Sequence, residues 1–143
     1  MIFLLITGKA LIGVILMVVA SMGIGMLWYS PSLFGTQWMA LIGMTPEMSP
    51  EMKKNAGKAY SIMLIPSLVM AYVLAVFIRN SFAPDLIHTI YVGFFAWLGF
   101  VATTGSSEYI FNAKPKPWKL YVINVGYQLA NLIVGSIILY YFH

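Results

Sequence analysis

LYVINVGYQLANLIVGSIILYY, residues 120–141, is an apolar stretch with amide side chains in its first half. Crossing the ~30 Å hydrocarbon layer takes about 20 helical residues, so this stretch predicts a membrane span. Four polar residues recur within it at spacings of three and four: Asn124, Tyr127, Gln128 and Asn131. That spacing places all four on one stripe of a helix. Because lipid offers amides no hydrogen-bond partner, we expect the stripe to face other protein. The favoured interpretation is structural, with these side chains bonding to neighbouring helices, and the alternative is a polar lining for a solute path or a pocket.

The composition excludes a soluble protein. The chain has 143 residues, of which 61% are hydrophobic and 8% charged, and its mean hydropathy is +0.87. A soluble domain is about 25% charged. The net charge of +4 comes from too few basic residues to indicate a nucleic-acid partner, and these residues lie at the ends of apolar stretches. The chain has no cysteine, which excludes disulfides, thiolate metal sites and thiol nucleophiles.

Four stretches are long enough to cross a bilayer as helices: residues 9–29, 59–78, 86–105 and 120–141. A cleaved signal peptide is the alternative for the first stretch, but its basic residue, Lys9, follows apolar residues instead of preceding them. The sequence therefore predicts an all-α fold, a polytopic membrane four-helix bundle in one membrane domain, 1–143.

The connection between the first two spans predicts a short interfacial helix over about 31–43. It would begin at Pro31, since proline suits the first turn of a helix. Phe34, Trp38 and Leu41 then recur on one apolar face, as in helices that lie in the headgroup layer. The motif Ser49-Pro50-Glu51 predicts a second helix start, from which the second span continues into the bilayer.

The lysines predict the orientation in the plasma membrane. Connections 30–58 and 106–119 share one side, and they carry six lysines: Lys53, Lys54, Lys58, Lys114, Lys116 and Lys119. The other side carries only Lys9 and Arg79. By the positive-inside rule, we expect both connections to be cytoplasmic and both termini to be extracytoplasmic.

Few side chains are suited to catalysis. Glu108, at the end of the third span, either pairs with a lysine of the same connection or handles protons. Asp85 and His88 are spaced for an acid–base pair, but helix capping and exposure to water explain both. The sequence holds no His/Asp/Glu cluster and no nucleophile or phosphate-loop motif. We therefore predict no enzyme and no catalytic residue, cofactor or metal site.

Three segments carry a family resemblance: LWYSPSLFGTQW (27–38), WLGFVA (97–102) and PWKLYVINVGYQL (117–129). In these segments the chain resembles the small four-span membrane proteins of the domain-of-unknown-function 1761 family. The resemblance implies a four-helix membrane domain and transfers no activity. The first and third segments lie at helix ends on the same predicted side, so we expect seven of their residues to form one surface: Trp28, Tyr29, Pro31, Trp118, Lys119, Asn124 and Tyr127.

Three functions are consistent with these features. The favoured hypothesis is a packing or accessory subunit, which would associate in the lipid bilayer with itself or with other membrane subunits. It rests on ridges of small residues that allow close helix packing: Ser21/Gly25, Ser67/Ala71/Ala75 and Gly126/Ala130. The alternative is a transporter or channel for a small, weakly charged solute, lined by the polar stripe with Glu108 near its mouth. The third is a membrane enzyme that depends on a partner's cofactor.

Overall fold

The predicted all-α fold is confirmed. A computed structural model describes residues 8–45, 49–111, 114 and 116–142, and every regular element in this part of the chain is helical. The elements are α1 (Gly8–Trp28), α2 (Gly35–Leu41), α3 (Ser49–Asn80), α4 (Leu86–Ala96), a π-helical segment (Trp97–Ala102), α5 (Thr103–Ile110) and α6 (Trp118–Phe142).

Four helical stretches are long and apolar enough to cross a membrane: Gly8–Trp28, Gly57–Asn80, Leu86–Ile110 and Trp118–Phe142. They match the four predicted spans. The third extends further than predicted, to Ile110, because α4, the π-helical segment and α5 follow one another without a break. The helix that carries the second span, α3, begins before the span itself, at Ser49, as the cap motif predicts.

The helix predicted over 31–43 is shorter, and its predicted start at Pro31 is wrong. The chain forms a tight turn after α1, in which Gly35 N donates to Ser30 O at 2.9 Å. The turn brings the backbone so close that a Cβ on Gly35 would lie 2.2 Å from Tyr29 O. The helix α2 begins only after this turn, at Gly35. Proline here occupies a turn position, for which its fixed φ is equally suited.

The helices α1 and α6 form the central antiparallel pair. Glycines allow their close approach, since a Cβ on Gly13 would lie 2.8 Å from Phe142 Cβ, and one on Gly135 would lie 2.4 Å from the Met17 side chain. The helix α4 packs on another face of α6, and α3 packs against α1 and α6. The shared core consists of apolar residues from α1, α3 and α6: Val14, Met17, Val18, Ala71, Leu74, Ala75, Ile78, Leu132 and Leu139.

Packing is unequal along the bundle. The end that carries connections 30–58 and 106–119 is here called the basic end. Leu74, Ala75 and Ile78, in the second half of α3, are buried, whereas every residue from 57 to 66 is exposed. The helix α3 therefore packs firmly only away from the basic end. Pro66, which lacks a backbone N–H, lies inside α3 where this change occurs.

Gly93→Ala is expected to lower the free energy of unfolding by about 1–3 kcal/mol, the usual cost of overpacking. The added Cβ would lie 2.2 Å from Ser136 Oγ and 2.8 Å from Leu132 O on α6. Reversible unfolding in mixed micelles measures the change. Gly99→Ala, in the same span, is the matched control, because its Cβ would meet nothing within 4 Å. Equal stabilities for the two variants would contradict the α4–α6 contact.

Candidate binding cavity

Asn124 joins three helical elements at the basic end. Its Oδ1 accepts a hydrogen bond from Tyr29 OH at 3.2 Å, and its Nδ2 donates to Tyr109 OH at 3.0 Å. Tyr29 follows α1, Tyr109 lies on α5 and Asn124 lies on α6. One amide therefore uses its acceptor and a donor to hold α1, α5 and α6 together, as a polar group within a membrane requires.

Aromatic donors also bind backbone carbonyls across the same helices. The indole Nε1 of Trp28 donates to Ile123 O at 3.1 Å, and that of Trp97 donates to Val125 O at 2.8 Å. Tyr121 OH donates to Ala102 O at 2.6 Å. A helical carbonyl already accepts one backbone bond, and its second lone pair accepts these side-chain donors. These bonds set the rotation of α6 relative to α1 and to the third span.

Beside these contacts lies a cavity of about 520 Å³. All four spans and Trp38 of α2 contribute to its walls. Three residues of the predicted polar stripe line it: Asn124, Tyr127 and Gln128. The stripe therefore faces the inside of the bundle over this part of α6, as the energetics of a bilayer require.

Gln128 offers this cavity an amide that no described residue binds. Asn124 is occupied by two tyrosines, and Tyr127 OH lies 3.4 Å from its acceptor, Ser21 O. For the Gln128 side chain, by contrast, the described residues provide no hydrogen bond, although it lines the cavity. An amide can donate two hydrogen bonds and accept two more, so Gln128 is available to a ligand.

Asn131 lies deeper in the bundle and does not line the cavity. Its side chain is buried, 2% exposed, and is therefore sheltered from lipid as expected. Its Oδ1 nevertheless has no hydrogen-bond partner among the described residues, and neither has the buried Ser136 Oγ. The sequence correctly predicts where this amide points, but the bonds expected from neighbouring helices are incomplete.

Glu108 lines the cavity and pairs with Lys116. Because the Glu108 side chain is 62% exposed, its position is here called the mouth of the cavity. The Lys116 Nζ also lies 5.8 Å from the ring centroid of Tyr109, a cation–π distance. The hydrogen bond to the Glu108 carboxylate raises the pKa of Lys116 above its ordinary value. Of the two readings of Glu108, the structure therefore shows the ion pair. It is exposed and weak, and it neutralises the carboxylate at the mouth.

The structure does not bring all seven residues of the predicted surface together. Trp28, Tyr29, Asn124 and Tyr127 meet where α1 ends against α6. The remaining three, Pro31, Trp118 and Lys119, are exposed and do not line the cavity. Trp118 packs its ring on Tyr121, at a centroid distance of 4.9 Å.

Sequence reasoning missed one wall of the cavity. Four residues of α3 line it at positions i, i+3, i+4 and i+7: Tyr60, Met63, Leu64 and Ser67. This periodicity is visible in the sequence and marks one face of a helix. Tyr109 was also missed, since its role depends on contact with Asn124, which lies on another span.

Asp85 and His88 lie at the start of α4, near the opposite end of the bundle. Asp85 Oδ1 accepts a bond from His88 N at 2.9 Å and lies 2.8 Å from His88 Nδ1. Both side chains are more than half exposed. The pair is a helix cap, and the described residues contain no group of three or more metal-ligating side chains.

The Asp85 cap is expected to make stability depend on pH. The His88 backbone N–H, as donor to the carboxylate, lowers the Asp85 pKa from its ordinary value of 3.8. This contribution is fully present above pH 3.8 and is lost as the pH falls through the lowered pKa. Asp85→Ala should therefore lower Tm at pH 7, and the difference from wild type should shrink under acid conditions. A difference in Tm that is constant from pH 7 to pH 2 would contradict this assignment.

Tyr29→Phe and Asn124→Leu are expected to have non-additive effects on unfolding. Both remove the same interhelical hydrogen bond, so a double-mutant cycle should give a coupling of about 0.6 kcal/mol, the average for such bonds in membranes. The matched control is a second cycle that combines Asn124→Leu with Tyr141→Phe. Tyr141 is an exposed tyrosine at the end of the bundle opposite the basic end. Additivity in the first cycle, or equal coupling in both, would contradict the network.

Comparison with known proteins identifies the family. The family model described as "Protein of unknown function (DUF1761)" matches residues 12–140. No curated protein and no solved structure matches the chain. The match covers nearly all of the chain, and the structure adds four helices long and apolar enough to span a membrane. The chain therefore belongs to the DUF1761 family of proteins of unknown function, and its apolar helices fit an integral membrane protein.

Proposed function

We propose that this protein binds a small, weakly charged solute in the cavity at the basic end and moves it within or across the membrane. The observation that carries the proposal is the orientation of the polar stripe. Asn124, Tyr127 and Gln128 face an open cavity of about 520 Å³, within the usual size of small-molecule sites. Asn124 and Tyr127 also bond to neighbouring helices, but a stripe that served only to join helices would not leave the Gln128 amide facing the cavity without a partner among the described residues.

From the sequence, the ridges of small residues favoured an accessory subunit. The structure weakens this support, because residues of these ridges pack within the chain. A Cβ on Gly25 would lie 3.2 Å from Tyr127 OH, and one on Gly126 would lie 3.2 Å from the Trp28 ring. Ala71 and Ala75 are buried in the core of this chain. Because these residues already pack within the chain, the solute-binding hypothesis now comes first.

The charges around the cavity favour a solute without strong charge. Among the described residues that line it, Glu108 is the only carboxylate, and none is a lysine, arginine or histidine. Glu108 is already balanced by Lys116. An anion would find no cationic side chain in the walls, and a cation would have to displace Lys116. An uncharged solute meets neither cost.

The helix α3 supplies a wall that is able to move. In its stretch 57–67, the side chains of Ser61 and Ser67 donate to carbonyls of the same helix, those of Gly57 and Met63. The polar network of Tyr29, Asn124 and Tyr109 instead joins α1, α5 and α6. Displacement of this half of α3 therefore breaks none of these hydrogen bonds. Such a wall allows a solute to enter and leave.

Cysteine labelling in nanodiscs tests the proposal, since the chain has no cysteine of its own. Val125→Cys lies in the cavity wall and should react with a water-soluble maleimide. Val122→Cys, on the exposed face of the same helix, is the matched control and should be shielded by lipid. Equal reactivity of the two cysteines would contradict a cavity open to water.

Ligand protection then tests binding. Hexanamide, hexylamine and hexanoate are compared for their ability to slow the labelling of Val125→Cys, and the uncharged amide should be the most effective. Gln128→Leu should abolish this protection, because it removes the unoccupied amide. Gln37→Leu, an exposed glutamine on α2 that does not line the cavity, should preserve it. Absence of protection by all three solutes would overturn the proposed function.

A further inference from the structure

We infer that the ligand is an amphiphile with one hydrocarbon tail and an uncharged polar head, and that it reaches the cavity from the bilayer. This inference rests on the proposed function and specifies its substrate class. The head lies in the cavity at the basic end, and the tail lies in an apolar groove between α3 and the third span.

The groove has a volume of about 270 Å³, and all of its lining side chains are apolar. They come from α3, from the third span and from α6: Met70, Val73, Leu74, Phe77, Ala96, Phe100, Val101 and Leu132. A groove of this composition offers a polar head nothing to bind. It suits a hydrocarbon chain, which exchanges lipid contacts for similar contacts with protein.

The groove and the cavity meet at Val101, whose side chain lines both. Gly105, Val125 and Gln128 are among the residues that line the cavity together with Val101. The same valine also lines the apolar groove. A molecule with a polar and an apolar part can therefore occupy both spaces at once, with its head–tail junction beside Val101.

The groove faces outward, where a bilayer would supply its occupant. Phe100 is 65% exposed, and Val73 and Phe77 are each 41% exposed. All three lie within stretches that are long and apolar enough to span a membrane. An amphiphile dissolved in the surrounding leaflet therefore contacts the groove before it reaches the cavity.

The cavity selects an uncharged head. The Gln128 amide is available to donate and to accept, which fits an amide or alcohol group. A carboxylate or phosphate head would meet Glu108 without a cation in the walls, and an ammonium head would compete with Lys116. Moving any charged head past the apolar groove adds the cost of burying a charge in hydrocarbon.

Dodecanamide with a diazirine in its tail is the probe, used in nanodiscs that hold the full chain. Photolysis should cross-link it to the groove, at Phe77 and Phe100, and not to Ile65, which is exposed on α3 outside the groove. The same compound should slow labelling of Val125→Cys about tenfold at ten times its Kd, since the free fraction falls as ligand binds. Dodecanoate and dodecylamine should protect less.

Val101→Trp should block the junction between the groove and the cavity. It should therefore reduce both the cross-linking of dodecanamide to the groove and the protection of Val125→Cys by dodecanamide. Leu98→Trp, on the exposed face of the same π-helical segment and outside groove and cavity, is the matched control and should reduce neither. The cross-link map of the wild-type chain is an independent measurement should Val101→Trp fold poorly.

The outcomes separate this inference from the proposed function. Protection by hexanamide, with cross-links of dodecanamide spread evenly over the lipid-facing surface, would overturn entry through the groove and leave the cavity as a solute site. Stronger protection by dodecanoate or dodecylamine than by dodecanamide would overturn the uncharged head. Failure of dodecanamide and of all three six-carbon solutes to protect Val125→Cys would overturn the inference and the proposed function together.

Discussion

The hydrocarbon of a bilayer offers no hydrogen bonds, and this constraint determines how the chain is arranged. A polar side chain in a span is therefore stabilised by partners within the protein. Asn124 has such partners in Tyr29 on one side and Tyr109 on the other. These two bonds connect three of the four spans at the basic end. The cavity lies beside these bonds, which join the two tyrosines to the amide and not to α3.

Close packing and openness are divided between the two ends of the bundle. Away from the basic end, glycines let α1 and α6 approach closely, and the core of Met17, Leu74 and Leu139 is almost fully buried. Towards the basic end, α3 no longer packs closely and a cavity appears. The half of the bundle away from the basic end is therefore closely packed, and the half towards the basic end contains the cavity.

Properties carried by one helix could be predicted from the sequence, whereas properties that depend on two could not. The spans and the inward face of α6 follow from local hydropathy and from the spacing of Asn124, Tyr127 and Gln128. The turn at Pro31 depends on how the chain packs back on the end of α1. The role of Tyr109 depends on the relative rotation of neighbouring helices, which hydropathy does not encode. The same holds for the Oδ1 of Asn131, which has no hydrogen-bond partner among the described residues.

The π-helical segment Trp97–Ala102 determines which side of α5 faces inward. Its hydrogen bonds span five residues in place of four, so it holds one residue more than an α-helical turn would. One residue corresponds to a rotation of about 100° around a helix axis. An uninterrupted α-helix from Leu86 would therefore turn Glu108 and Tyr109 by more than a quarter-circle. The number of residues in this segment therefore sets which side of α5 faces the cavity, and the bond from Trp97 Nε1 to Val125 O holds that orientation against α6.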